Sequence, residues 1–174
     1  MNNVLDPMAE RFLRYLRVER NDSPNTILNY KDDLIAFSVF LSGRGKATWL
    51  EVSLLDIRSY LAQLHREEKA RRTIARRISS LRSFYRYLMR EGLTDKNPFT
   101  KVTPKLEKKL PVFLEEFEMN HLLELPDLST ELGQRDRALL EFLYSTGCRV
   151  SELVGLTLTR LDLSNRYALL LGKG

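Results

Sequence analysis

Apolar residues recur at helical spacing through the front half of the chain and predict four helices there. The first of these helices is centred on Phe12. The second begins at Ser23-Pro24, because serine is a favoured N-cap and proline fits the first helical turn. The third starts near Ser53, and the fourth covers about residues 70–91. Four helices in this length of chain favour a compact all-α domain.

The pattern changes after the fourth helix. The tract from residue 98 to residue 111 contains three prolines and shows little apolar periodicity, which predicts an extended linker. The run from Tyr167 to Leu171 is short and apolar, and it predicts a strand that leads into a glycine-rich turn. We therefore expect a helical domain at 1–97, a linker at 98–111 and a second domain at 112–174. Further helices are predicted in the second domain over residues 114–125, 133–146 and 149–158.

The predicted strand near the end of the chain has no obvious partner in the sequence. A strand needs neighbours, since even an isolated hairpin is only marginally stable in water. Either an earlier part of the chain pairs with it, or the sequence is the front part of a longer protein. We favour the second alternative, in which Tyr167 to Leu171 opens a small β-hairpin.

Charge is distributed unevenly along the chain. Residues 1–105 hold 20 basic against 12 acidic side chains, whereas residues 106–174 hold 8 basic against 11 acidic ones. A basic front half attached to a mildly acidic back half indicates two units with different surfaces. The basic unit is a candidate for binding a polyanion, most simply nucleic acid. The alternative is an ordinary solvated helical face, since lysine and arginine are normally outside.

Composition excludes several other classes of protein. Cys148 is the only cysteine, so an intrachain disulfide cannot form and a cysteine-based zinc site is not expected. The sequence contains no run of about 18 apolar residues and so predicts no membrane span, and the first residues lack the apolar core of a secretion signal. The sequence also contains no phosphate-binding glycine loop, no dinucleotide fingerprint and no HExxH zinc motif. We therefore expect a reducing, cytoplasmic setting and neither metal nor cofactor.

The fourth helix carries the most unusual surface. Eight lysines and arginines and no acid occur from Lys69 to Arg90, although like charges one turn apart repel. Phosphates would supply the missing counter-charge. The alternative is a solvated face paired with acids elsewhere in the domain. Six side chains share an arc of roughly 80° opposite the apolar residues, namely Arg72, Arg76, Ser79, Ser83, Arg86 and Arg90.

The second helix offers a weaker candidate surface. Its polar residues could form hydrogen bonds to phosphates or bases. The alternative is a wet face, with Tyr30 packed against the domain. The residues in question are Thr26, Asn29, Tyr30 and Asp33.

Arg149 is the candidate for chemistry in the second domain. It follows a Gly-Cys turn and opens a predicted helix, and Glu152 lies three residues later on the same face. A helix start favours anions, and an arginine there adds a permanent positive charge that Glu152 could orient. The alternative is a purely structural Arg–Glu pair that caps the helix.

Four segments resemble one known family. RALLEFLYSTGCRVSELVGL resembles the first motif box of the tyrosine site-specific recombinases of the Xer type. FLRYLRVERNDSPNTILNYKDDL is similar to the start of that family's core-binding domain, and RISSLRSFYRYLMREG, followed by Asn-Pro, to its last helix and exit. YALLLGKG is similar to the strand and hairpin turn that carry the family's catalytic lysine. The resemblance implies a mainly α protein. It would consist of a four-helix, SAM-like core-binding domain and the N-terminal part of an α+β catalytic domain.

The resemblance also implies an activity. Members of this family cut and rejoin DNA strands at specific sites through a 3′-phosphotyrosyl intermediate, without metal or cofactor. Arg149 matches the arginine that grips the non-bridging phosphate oxygens, with Glu152 as its supporting acid. Lys173 matches the hairpin lysine that protonates the leaving 5′ oxygen. The family's H-x-x-R box and its nucleophilic tyrosine have no match here, because Glu68 and Glu124 stand three residues after the two histidines.

Partners and role follow from the same resemblance. We expect the full-length protein to act as a homo- or heterotetramer of recombinase protomers on a duplex DNA site, with a septal DNA translocase as activator. Chromosome dimer resolution is the expected role, and mobile-element integration uses the same parts. We expect the 174-residue chain to bind DNA but not to cleave it alone. The alternatives are a DNA-binding module without chemistry and an all-α domain that binds acidic proteins.

Overall fold

The computed structural model describes residues 5–103, 110 and 112–172. The chain forms two compact units, residues 1–108 and 109–174. The first unit contains helices α1 (Pro7–Val18), α2 (Pro24–Ser42), α3 (Leu54–Arg66) and α4 (Arg71–Arg90), with a 3₁₀ turn at Trp49–Glu51. The second contains α5 (Glu116–Glu124), α6 (Glu131–Thr146), α7 (Val150–Val154), a 3₁₀ turn at Leu158–Arg160 and strands β1 (Leu161–Asp162) and β2 (Tyr167–Ala168).

The mainly α architecture predicted from the sequence is confirmed. None of the helices in the described part of the chain combines the length and apolarity that crossing a membrane requires.

The serine cap predicted for α2 is confirmed, and α3 also begins at a serine cap. Ser23 Oγ accepts the backbone N–H of Thr26 at 3.2 Å. Ser53 and Asp56 form a reciprocal capping box, in which Asp56 Oδ2 accepts the Ser53 N–H at 2.8 Å. Burial opposes ionisation of Asp56, but Lys46, 2.9 Å away, and the Ser53 groups outweigh it and hold the pKa of Asp56 well below its usual range.

Aromatic rings form the centre of the first unit. Phe37 packs edge-on against Tyr60, with ring centroids 4.8 Å apart, and Trp49 packs edge-on against Phe84 at 4.9 Å. Such edge-to-face pairs add to the stability that burial of the rings provides. All four rings are buried, so α2, α3 and α4 share one core together with the 3₁₀ turn.

Phe99 belongs to this core, although the sequence places it in an extended linker. Its side chain is fully buried, 5.6 Å from the Phe37 ring between centroids. Arg82 donates hydrogen bonds to the carbonyls of Phe99 and Val102, and Asn97 Nδ2 donates to the Arg82 carbonyl at 3.0 Å. The proline-rich pattern describes the local backbone, but it does not reveal that one aromatic side chain packs into the unit before it.

The second unit has a smaller core. Among its described residues only Leu123 and Gly133 are buried. A side chain at Gly133 would overlap the Asp127 carbonyl, so the turn before α6 can approach the helix only because this position is glycine. Arg137 joins α6 to the end of α5 by donating to the Leu123 carbonyl at 2.6 Å.

The strand predicted at Tyr167–Leu171 is shorter than expected and has a partner. β2 pairs antiparallel with β1, with Leu161 opposite Ala168. The hairpin turn therefore precedes the strand, and Asp162 stabilises it by accepting the Asn165 N–H at 2.8 Å. An earlier part of the chain therefore pairs with the strand, and this pairing does not exclude the other alternative, a longer protein. The glycine-rich turn predicted after this strand includes Lys173, which lies outside the described residues.

Candidate nucleic-acid interface

The exposed side of α4 presents positive charge as predicted. Arg72, Ser79, Arg86 and Arg90 are exposed. Arg72 and Arg86 take part in no ion pair or hydrogen bond within residues 5–103, 110 and 112–172. Their guanidinium groups are therefore open to an anionic partner.

Arg76 is paired with a buried acid from α2. Asp33, only 1% exposed, accepts hydrogen bonds from Arg76 at 2.7 Å and from Ser80 at 2.9 Å. Arg76 also donates to the Asn29 carbonyl at 3.1 Å. The alternative of a face paired with acids thus applies to Arg76. Its side chain nevertheless remains 36% exposed, so part of the guanidinium reaches solvent.

Asp33 is a structural residue. The sequence placed it on a polar face of the second helix, but its side chain is buried. Desolvation raises the pKa of its carboxyl, against the lowering effects of Ser80, Arg76 and Arg77. The second carboxylate oxygen lies 3.6 Å from Arg77 Nε, an ion pair too long to be a hydrogen bond. Both atoms are buried, and neither has a hydrogen-bond partner among the described residues. The pair therefore depends on mutual charge compensation.

Ser83 lies on the predicted polar face but is buried, with 6% exposure. The reason is that α1 covers this side of α4. Phe12 and Tyr15 pack against the Tyr87 ring, with centroids 5.5 and 5.2 Å away. A helical-wheel projection assumes that a helix buries one face. It therefore overestimates the exposed arc of α4, which packs against neighbours on two sides.

Arg90 is held in place by aromatic rings and acids. Its guanidinium carbon lies 4.0 Å from the centre of the Tyr15 ring and 5.4 Å from that of Tyr87. It also pairs with Glu91 at 2.9 Å and Glu19 at 3.4 Å. Cation–π contact and ion pairs fix the guanidinium at the edge of the exposed face.

The candidate residues of α2 divide between capping, packing and exposure. Thr26 Oγ1 lies 2.9 Å from Ser23 Oγ within the N-cap. Tyr30 is half-buried and stacks on Phe12, with centroids 6.2 Å apart, which is the packing alternative. Asn29 is exposed, and its amide donates to the Asn25 carbonyl at 2.7 Å.

In the second unit, Arg149 forms a preorganised and accessible cation. Gly147 ends α6 in the left-handed conformation, with φ of 62°, and Arg149 becomes the N-cap of α7. Its backbone N–H donates to Glu152 Oε2 at 2.8 Å, and its guanidinium donates to Oε1 at 2.7 Å. The Arg149 side chain remains 68% exposed, whereas that of Glu152 is 11% exposed. The carboxylate therefore holds one edge of the guanidinium and leaves the rest open.

The electrostatics of this pair favour a permanent charge on both partners. The Arg149 backbone amide, followed by its guanidinium, lowers the pKa of Glu152. The end of the described chain also lies nearby, since a Cβ built on Gly172 would stand 4.0 Å from Glu152 Oε1. No three His, Cys, Asp or Glu side chains within the described ranges are grouped in a way that could hold a metal ion.

Comparisons with known proteins identify the family. Residues 9–92 match the family described as "Phage integrase, N-terminal SAM-like domain", and residues 112–174 match the "Phage integrase family". The chain is 43% identical over 173 residues to "Tyrosine recombinase XerC" of Oceanobacillus iheyensis, covering 99% of this chain and 57% of that protein. The two family matches together span most of the chain, which belongs to the phage integrase family and is similar to its tyrosine recombinases.

A second relative agrees. It is 49% identical over 170 residues to "Tyrosine recombinase XerC" of Pelotomaculum thermopropionicum, covering 94% of this chain and 56% of that protein. The chain thus spans little more than half the length of these curated relatives.

Solved structures share the fold. The Tn1549 transposon integrase, solved in complex with transposon right end DNA, aligns with a TM-score of 0.66 and 22% identity, over 91% of this chain and 50% of that one. An integrase from mycobacterium phage Brujita aligns with a TM-score of 0.56 and 20% identity, over 99% of this chain and 56% of that one.

The described residues contain one constellation that was not predicted from the sequence. The cluster of Asp33 with Arg76, Arg77 and Ser80 joins α2 to α4. The signal for it was weak: Asp33 lies one helical turn after Asn29, in a basic unit where a buried acid has many possible partners.

Proposed function

We propose that this chain is the DNA-binding unit and the first part of the catalytic domain of an enzyme for site-specific DNA recombination. The observation that carries the proposal is Arg149, which is held by Glu152 at 2.7 Å yet remains 68% exposed. A guanidinium fixed in this way can bind two non-bridging oxygens of one phosphodiester. The recombinase relatives support the reaction, and we further propose chromosome dimer resolution as its role.

The proposed chemistry assigns one task to each site residue. A tyrosine hydroxyl of the full-length enzyme attacks the scissile phosphorus, a 3′-phosphotyrosyl bond forms, and the bond to the 5′ oxygen breaks. Arg149 stabilises the charge that develops on the phosphate oxygens, and Glu152 positions Arg149. Lys173 donates the proton to the leaving 5′ oxygen. None of the seven tyrosines of this chain is assigned as the nucleophile.

We propose that α4 carries the main DNA-binding surface. The proposed contacts are the arginine face, which consists of Arg72, Arg76, Ser79, Ser83, Arg86 and Arg90, and the neighbouring α2 residues Thr26, Asn29 and Tyr30. The exposed guanidinium groups of Arg72 and Arg86, which have no partner among the described residues, support phosphate contact. The weaker members are the paired Arg76 and Arg90, the buried Ser83 and the packed Tyr30. Further recombinase protomers on the same DNA, a septal translocase and a cytoplasmic location complete the proposal.

Replacing both Arg72 and Arg76 with alanine should weaken duplex binding. If each arginine contacts a base, the expected loss is about 1–3 kcal/mol per residue. Fluorescence anisotropy with a labelled duplex at several salt concentrations measures the effect. Arg58→Ala, an exposed arginine of α3, is the matched control. Unchanged affinity in the double variant would remove these residues from the interface. An absence of binding by the wild-type chain would favour the protein-interaction alternative.

The 174-residue chain should form no covalent complex with DNA. The family's nucleophilic tyrosine and H-x-x-R box have no match in it, so binding should occur without cleavage. Incubation with a nicked suicide substrate, followed by denaturing electrophoresis, tests this expectation. The full-length enzyme should give a trapped adduct under the same conditions. An adduct formed by the 174-residue chain would show that one of its own tyrosines reacts.

A further inference from the structure

A notch lies between the end of α1 and the last turns of α4. It has a volume of about 410 Å³, and we call it the α1–α4 notch. Among the residues that the structure describes, its lining contains three arginines and no acid. The lining residues are Tyr15, Arg20, Ser83, Arg86, Tyr87 and Arg90.

Ser83 gives the notch a hydrogen-bond donor without a partner. The residue is only 6% exposed, and its hydroxyl makes no hydrogen bond within residues 5–103, 110 and 112–172. A serine inside a helix commonly donates to the carbonyl one turn earlier, but Ser83 does not. Ser83 Oγ is not itself fully buried, so an acceptor that enters the notch can reach this atom and take its hydrogen bond.

The arginines differ in how they are held. Arg20 pairs with Asp22 at 3.3 Å, and Arg90 stacks on Tyr15 and pairs with Glu91. Arg86 has no ion pair or hydrogen bond in the described ranges. The acids that hold Arg20 and Arg90 do not line the notch. Acids that lie outside the notch therefore orient the guanidinium groups of Arg20 and Arg90, and that of Arg86 is open to a ligand.

We infer that the α1–α4 notch binds one phosphate group of the duplex DNA backbone. A tetrahedral anion can accept hydrogen bonds from the Ser83 hydroxyl and from several arginine N–H groups at the same time. A single surface lysine does not offer such a set of donors. The notch continues the arginine face of α4, since Ser83 and Arg86 belong to both. It adds Arg20, which precedes α2 and which the helical pattern does not select. This inference rests on the proposed DNA-binding function.

Two measurements on the 174-residue chain test the inference. In the first, inorganic phosphate is titrated against the ¹⁵N-labelled chain. The largest amide shifts are expected at Arg20, Ser83 and Arg86, and Arg86→Ala should abolish them. Arg17→Ala should not, because Arg17 is exposed at the end of α1 and does not line the notch. Amide shifts that occur outside the notch, with none at Arg20, Ser83 and Arg86, would overturn the inference.

In the second measurement, duplex affinity is followed against salt. Arg20→Ala should weaken binding to unrelated duplex sequences equally and reduce the salt slope by about one contact. Ser83→Ala should weaken it without changing the slope, and Arg17→Ala should retain the wild-type affinity. Wild-type affinity in both notch variants would overturn the inference while leaving the proposed function intact. If the wild-type chain binds phosphate in the notch but no duplex, the proposed function fails instead, and the DNA assignment fails with it.

Discussion

Replacing Asp33 with alanine is expected to lower the free energy of unfolding of the first unit by about 3–5 kcal/mol, because removing one partner leaves a buried charge uncompensated. The carboxylate is 1% exposed and receives hydrogen bonds from Arg76 and Ser80. It also faces Arg77, whose Nε atom is buried without a hydrogen-bond partner among the described residues. After the substitution, Arg77 would be left in the core-facing side of α4 without its counter-charge.

Urea denaturation followed by tryptophan fluorescence measures this loss in the first unit alone. The chain has one tryptophan, Trp49, which is buried in the core of that unit. Asp32→Ala is the matched control, because Asp32 is the adjacent acid on α2 and is exposed. Equal midpoints for the Asp33 and Asp32 variants would contradict the structural role of the cluster.

Replacing Phe99 with alanine should lower the free energy of unfolding by about 3–5 kcal/mol, the usual cost of removing a buried phenylalanine ring. The ring is fully buried and contacts Phe37 and Tyr85, with centroids 5.6 Å away in both cases. The loss combines the lost burial of the ring with the cavity that remains between α2 and α4.

The same tryptophan-detected denaturation measures this effect. Leu110→Ala is the matched control, since Leu110 lies in the same predicted linker and is 90% exposed. It should change the unfolding free energy by less than about 0.5 kcal/mol. A Phe99 variant as stable as the Leu110 variant would mean that the segment after α4 does not contribute to the core.

Local features of the structure were predictable from the sequence because their causes are local. The N-cap at Ser23 depends on one side chain and the following helical turn, and it forms as expected. The Arg149–Glu152 pair depends on a glycine that ends one helix and on a three-residue spacing. In each case the residues that decide the geometry lie within about five residues of each other along the chain.

Features that depend on distant packing were not predictable in this way. Ser83 is buried because α4 packs against α1, which lies far earlier in the chain. Phe99 is buried because its ring packs against Phe37 of α2. The short strand β1 has two residues, too few to produce an alternating pattern. The sequence contains these partners, but nothing local indicates which of them will meet.

Photo-crosslinking to a duplex tests the central claim, that the arginine face of α4 lies against DNA, most directly. A photoreactive amino acid replaces Ser79, which is exposed in the middle of that face, or Ala62, which is exposed on α3. We expect an efficient crosslink from position 79 that disappears at high salt, and little crosslinking from position 62. A crosslink from position 62 with none from position 79 would place the DNA on a surface other than the arginine face.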